Sequence, residues 1–202
     1  MHFKKLFFRA TFSMVLLVIC VVSASAKSIT HPTKICDLFV DGRLAKVVAS
    51  SLKKNSEEDM VTQSDLDSIV LLQADNFPYK PVGICKLDGI EYLNNLEQLM
   101  LGGNNITDLS PLSNLRKLWE LQLLFNVSLE DITPLRALTN MKRMSLSHTS
   151  ISDISALKDM KKLYWVCLDK TNVTDFSILF TLPKLENCDV PIPEPKSGCT
   201  IM

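Results

Sequence analysis

The sequence predicts an α/β solenoid: short parallel strands stacked turn upon turn, closed at the N-terminal end by a helical cap. Three observations predict it. An LxxLxL phrase recurs at Leu96, Leu118, Met141, Leu163 and Leu185, spaced 22, 23, 22 and 22 residues apart. A polar residue follows each of the first four (Asn104, Asn126, Thr149, Thr171), and then an apolar-x-Asp-apolar stretch around Asp108, Asp131, Asp153 and Asp175, while the Leu185 copy is worn. Ahead of the repeats lie two capped amphipathic segments. A fixed period of this length with this consensus defines a leucine-rich repeat, and since one copy cannot bury its own apolar face, copies stack.

Each element follows from local chemistry. In Leu96-Leu99-Leu101 and its copies, the leucines point into the stack and the residues between them point out, as period two requires of a strand. The carboxamides of Asn104 and Asn126 can bond backbone groups where the chain leaves the strand, and the hydroxyls of Thr149 and Thr171 can do so more weakly. Pro111-Leu112 and Pro134-Leu135 suit a tight return, because proline fixes φ and cannot extend a ladder. The second repeat has one extra residue near Ser128, which a bulge on the convex side absorbs. Arg116, Lys117, Lys142, Lys161, Lys162 and Lys184 fall between repeats and read as solvated edge residues.

The cap falls in residues 27–72. Asp41 starts a helix with an apolar face of Leu44, Val47, Val48 and Leu52. Thr62 starts another, with Asp65 in the capping-box position and Val61 set to staple onto Leu66. Repeats occupy 73–190, about four and a half plus an atypical first copy, followed by a flexible proline-rich tail at 191–202. Residues 1–26 read as a signal peptide: Lys4, Lys5 and Arg9, an apolar core from Phe12 to Val22, then Ala24-Ser25-Ala26 for cleavage. Export follows from that reading.

Removing Lys4, Lys5 and Arg9 from the 22 basic residues leaves 19 against 22 acidic ones, a formal charge of −3. Neither this balance nor any motif points to nucleic acid. Five cysteines remain after the signal segment: Cys36, Cys85, Cys167, Cys188 and Cys199. None forms a CxxC pair, so zinc is not expected. Cys188 occupies an inward position and reads as a small hydrophobe, Cys167 points outward, and those two should not pair. Cys36 and Cys85 either form a disulfide or stay as free thiols, the second being favoured. The terminal Cys199-Thr200-Ile201-Met202 matches a farnesylation signal, which a signal peptide contradicts. Cys199 is therefore a lipidation candidate only on a competing reading, a host-directed effector anchored at a membrane.

ICDLFVDGRLAKVV, VTQSDLDSIVLLQAD, LDGIEYLNNLEQL and ITDLSPLSNL together resemble the cap and first repeats of the internalins, a family of bacterial leucine-rich-repeat proteins. The likeness runs from about residue 35 to 190. It implies a right-handed solenoid whose concave face grips a protein, often one from a host. Internalins usually carry more repeats and then an immunoglobulin-like domain, which this sequence lacks. The stretch between Leu72 and Leu87 is about five residues longer than the usual period and holds Phe77-Pro78-Tyr79-Lys80-Pro81, read as a cluster packing on the cap or as a contact loop.

Outward strand positions, among them Gln98, line the concave face, and with two residues just beyond the strands, Phe125 and His148, they define the candidate partner site: Met100, Glu120, Gln122, Leu124, Phe125, Arg143, His148, Trp165 and Asp169. Aromatic residues, Met and Arg are what interface cores concentrate. Trp119 and Tyr164 lie at strand entries and serve either packing or contact. No phosphate loop, nucleophile elbow or metal pair appears, and the repeating aspartates are structural before they are catalytic, so neither an enzyme nor a cofactor is expected. The partner is expected to be a protein, and the chain a monomer. A third reading is a shortened remnant without a partner. The sequons at Asn105, Asn126 and Asn172 arise from the repeat phrase itself.

Overall fold

The computed structural model describes residues 26–75 and 83–189. The signal segment apart from Ala26, the Phe77–Pro81 loop, and the tail with Cys199 lie outside the described residues.

Cap and solenoid form one continuous core. The cap comprises β1 (Thr33–Lys34), α1 (Ile35–Leu38), α2 (Gly42–Ser51), β2 (Met60–Val61) and α3 (Gln63–Asp67). β1 and β2 pair antiparallel, Thr33 opposite Val61. α2 buries Leu44, Ala45, Val48 and Ala49, while Val47 and Leu52 are only partly covered. The apolar stripe is thus rotated towards the two alanines, which allow closer approach to the core than the face expected from sequence. The capping box of α3 forms as predicted: Thr62 Oγ1 accepts from Asp65 N, and Thr62 N donates to Asp65 Oδ2. Val61 and Leu66 are both buried.

Six strands follow in one parallel sheet, in sequence order: β3 (Leu71–Gln73), β4 (Gln98–Met100), β5 (Glu120–Gln122), β6 (Arg143–Ser145), β7 (Trp165–Cys167) and β8 (Asn187–Cys188). β3 straddles the 72/73 junction and makes the atypical first copy part of the sheet. Register is repeat-perfect, with Leu99, Leu121, Met144 and Val166 opposite one another. The extra residue near Ser128 is taken up in the turn at 127–128, between β5 and the following return segment, and leaves that register intact.

Return segments are 3-10 helices, at Ser110–Leu112, Thr133–Ala137, Ser155–Asp159 and Ser177–Thr181. The repeating aspartates start them. Asp108, Asp131, Asp153 and Asp175 each accept the backbone N–H two residues on, at 2.7–2.8 Å. Hydrogen bonds from Ser110, Thr133 and Ser177 hold the carboxyls of Asp108, Asp131 and Asp175 below the usual carboxylate range.

Two amides stitch the turns together. Asn104 Oδ1 accepts from Gly83 N and Ile84 N, and its Nδ2 donates to Ala74 O and Leu101 O. Asn126 accepts from Ile106 N and donates to Leu101 O and Leu123 O. Thr149 and Thr171 each make one such bond, to Leu146 O and Leu168 O.

Asp41 joins cap to solenoid. Its Oδ1 caps α2 through Arg43 N (2.9 Å), and its Oδ2 takes Cys85 N (2.8 Å) and Lys86 N (3.3 Å). Burial pushes its pKa up, but these backbone donors outweigh burial and leave it lowered. A depressed folded pKa gives stability that is present above the unfolded value and lost as pH falls through the folded one. Asp41→Ala is expected to cost about 2 kcal/mol at neutral pH. In urea melts, its gap from wild type should close as pH drops through that range. Gly89 sits at the same joint with φ 103°, where a Cβ would collide with the Leu38 carbonyl.

The cysteine expectations divide. Cys36 and Cys85 are free: the Cys36 thiol lies near Glu58 and Asp37, and that of Cys85 bonds Gly83 O, so the disulfide alternative is set aside. Cys167 and Cys188 are likewise unbridged. Cys188 is half-buried, because the described sheet ends at its strand.

Candidate functional site

The outward residues of β4 to β7 converge on one polar network. Its centre is Glu120, expected to be exposed but only 4% so. Period two places it on the outer face correctly. Its neighbours then fold over it: Gln98 Nε2 donates at 2.8 Å, Gln122 Nε2 at 3.2 Å, and Arg143 Nη1 lies 3.1 Å away. Glu120 therefore orients other groups instead of offering its own surface. Arg143 keeps 39% of its side chain exposed, with its guanidinium 5.3 Å from the ring centroid of Trp165. A cation held between a buried carboxylate and an indole face has lost most of its rotamer freedom before any ligand arrives. Met100, Gln122 and Trp165 are half-buried around it.

A second row runs where the chain leaves the strands. Gly103, Phe125, His148 and Lys170 hold the same repeat position, and all have φ between 56° and 69°. Only the first is glycine. Left-handed backbone costs a side-chain-bearing residue about 1 kcal/mol. Phe125 and His148 stack at 4.1 Å with planes 14° apart. His148 Nε2 lies 4.0 Å from Asp169 Oδ2. Leu124 is half-buried beside Gly102, and Asp169 is exposed. Lys170→Gly is expected to raise stability by about 0.5–1 kcal/mol in urea denaturation. Phe125→Gly gains the same backbone relief but loses the stack, and should gain less.

The nine predicted residues thus divide into two groups on one face: the network around Glu120, and the stacked row with Asp169. Gln98, which the alternation places on the same outer face one strand before Glu120, is part of the network as well. Trp119 is tied down locally, its Nε1 donating to Glu97 Oε2 at 3.2 Å with Lys142 above its ring at 5.4 Å. At the last strands, Cys167 donates to Asp189. Burial first, then that hydrogen bond, pushes the thiol up to about 11, so it stays protonated at neutral pH. Among the described residues no group of His, Cys, Asp or Glu could hold a metal ion.

A helical cap and a parallel sheet with one residue register per turn define a leucine-rich-repeat protein. A model of the N-terminal region of bacterial adhesion/invasion proteins matches residues 22–67. The chain is 33% identical to internalin C2 (inlC2) of Listeria monocytogenes, with a TM-score of 0.61 over 81% of this chain and 79% of that one. It belongs to the internalin family. An internalin (inlF) from the same species superimposes with a TM-score of 0.65 at 33% identity, over 79% of this chain and 52% of that one. Internalin H of L. monocytogenes is 41% identical over 86 residues, 43% of this chain but 15% of its own length. The chain thus spans well under two thirds of internalin H and of the inlF structure.

Proposed function

We propose that this protein is exported and binds a partner protein, one of host origin, through the concave face of its sheet. The observation that carries the reading is the Glu120–Arg143–Trp165 arrangement. A buried carboxylate held by two glutamines fixes an arginine against a tryptophan, the residue types that dominate binding energy at interfaces. The left-handed row supports it, since three turns keep a side chain where glycine is cheaper and thereby present Phe125, His148 and Lys170 along the rim. Membership of a family of binding proteins supports it further. The reading includes no catalytic step and no cofactor.

Immobilised full chain, incubated with host-cell extract, should retain a saturable partner that is lost with Trp165→Ala and Arg143→Ala but kept with Asn114→Ala on the convex side. Equal retention by all four proteins would overturn the assignment. Export is tested by the intact mass of the native chain, which should lack residues 1–26 and carry an unaltered C-terminus. Retention of that segment, or a farnesyl on Cys199, would contradict it.

A further inference from the structure

The edge where the chain enters each strand is cationic, and its cations are held in place without being neutralised. The residues just before the first inward position of successive repeats are Asn95, Lys117, Asn140, Lys162 and Lys184. Lys117 Nζ donates to Asn95 Oδ1 at 2.5 Å, and Lys162 Nζ to Asn140 Oδ1 at 2.6 Å. Both amides are themselves anchored to backbone, Asn95 to Asp67 O and Asn140 to Arg116 O, each at 2.8 Å. Two positions after Asn140, Lys142 lies over Trp119. A lysine normally sweeps freely on its stem. Two of them here, Lys117 and Lys162, are held by amides at the same repeat position, and Lys142 lies over an indole ring two positions further on.

The cap treats its lysines differently. Lys27, Lys34 and Lys46 pair with Glu91, Glu58 and Glu57 at 2.6, 2.8 and 3.8 Å. Among the described residues no carboxylate lies within 4.0 Å of the basic groups of Lys117, Lys142, Lys162 or Lys184. The opposite edge carries the acids that start the return helices, Asp108, Asp131, Asp153 and Asp175. Asp108, Asp131, Asp153 and Asp175 thus stack into a negative stripe on one edge, while Lys117, Lys142, Lys162 and Lys184 outnumber Glu97 and Glu186 on the other and leave it net positive. From Lys117 to Lys184 the positive stripe crosses three strand spacings, about 14 Å.

We propose that this edge binds a linear sulfated polysaccharide lying along the solenoid axis. Point charges one or two strand spacings apart, with an anchored amide between Lys117 and Lys162, suit a polymer that carries sulfate esters and hydroxyls along its length. An acidic peptide is the weaker fit, because bidentate carboxylate recognition draws on arginine and this stripe is built of lysine. An anionic membrane would need apolar side chains to insert. Of the large apolar residues exposed, Val70 and Leu71 stand at the first strand, ahead of the lysines, Val40 and Met60 in the cap, and Val127 and Phe180 in other parts of the repeat. The stripe is separate from the Arg143–Trp165 site, so either assignment can fail alone.

Titration calorimetry of the full chain with a heparin-derived oligosaccharide, over a range of salt concentrations, tests this. The variant Lys117→Gln/Lys142→Gln/Lys162→Gln should bind at least about tenfold more weakly, with the slope of log affinity against log salt reduced by about 1 per lysine removed. The charge-matched cap variant Lys27→Gln/Lys34→Gln/Lys46→Gln and Trp165→Ala should stay within about twofold of wild type. Replacing the same three edge lysines by arginine should preserve binding, and urea melts confirm that each variant folds. The proposal is overturned if wild type does not bind, if the cap variant loses as much as the edge variant, or if a desulfated polymer binds equally. Binding to acidic peptide or phosphatidylserine vesicles in preference to the sulfated polymer would overturn it too.

Discussion

Replacing Asn126 by alanine is expected to cost about 2–3 kcal/mol, a large share of the margin by which a domain of this size is stable. The side chain has no exposed surface. It serves Ile106 N, Leu101 O and Leu123 O, two of which belong to the preceding turn. Alanine leaves Ile106 N buried and unsatisfied, and takes one of two donors from Leu101 O, which keeps Asn104 Nδ2, and from Leu123 O, which keeps the backbone N–H of residue 126. Thr149→Ala removes only the bond to Leu146 O and should cost about 1 kcal/mol. Because repeats are stabilised by their neighbours, the damage at Asn126 should spread to both adjoining turns. Chemical denaturation of both variants checks the ranking; a cost at Asn126 no larger than that at Thr149 would mean the amide stitch is not what couples the turns.

On the concave face, Trp165→Ala is expected to weaken the captured partner about 30-fold, or about 2 kcal/mol, with little loss of stability. The ring is half-buried and lies outside the inward column of Val166 and its equivalents, so its removal opens no core cavity. Arg143→Ala should weaken binding by a similar amount and lose the ion pair with Glu120 as well. Glu120→Gln is the more revealing substitution. It keeps the shape and the hydrogen bonds available to Arg143 but removes the charge, so Arg143 should wander and the on-rate should change less than the off-rate. Surface plasmon resonance against the purified partner separates these effects. An unchanged dissociation rate in Glu120→Gln would show that Arg143 needs no anchor.

The inward columns were legible in the sequence because a leucine every second position at a fixed period has few structural alternatives. The cap was legible for a related reason: the capping bonds of Asp41, Thr62 and Asp65 go to backbone groups two or three residues away, although the second oxygen of Asp41, which reaches Cys85 and Lys86, was not. What escaped depends on neighbours across turns. Glu120 obeys the alternation rule and still disappears from solvent, since Gln98, Gln122 and Arg143 come from three different strands. The left-handed positions carry Phe125, His148 and Lys170, so no glycine advertises the conformation except at Gly103. The edge lysines read as ordinary solvated charges until their partners, amides instead of carboxylates, are known. Cys36 and Cys85 both sit towards the N-terminal end, yet proximity in the chain says nothing of which way the thiols face.

The central claim is that the concave face, and no other, receives the partner. Photo-cross-linking locates the contact directly: a benzophenone side chain placed at Gln122 on the sheet, at Asn114 on the convex return, or at Thr107 on the acidic edge, each in the full chain exposed to host cells. The account predicts a specific adduct from position 122 that vanishes when Trp165→Ala is added, and none from 114 or 107. An adduct from the convex or acidic-edge position with none from 122 would contradict it.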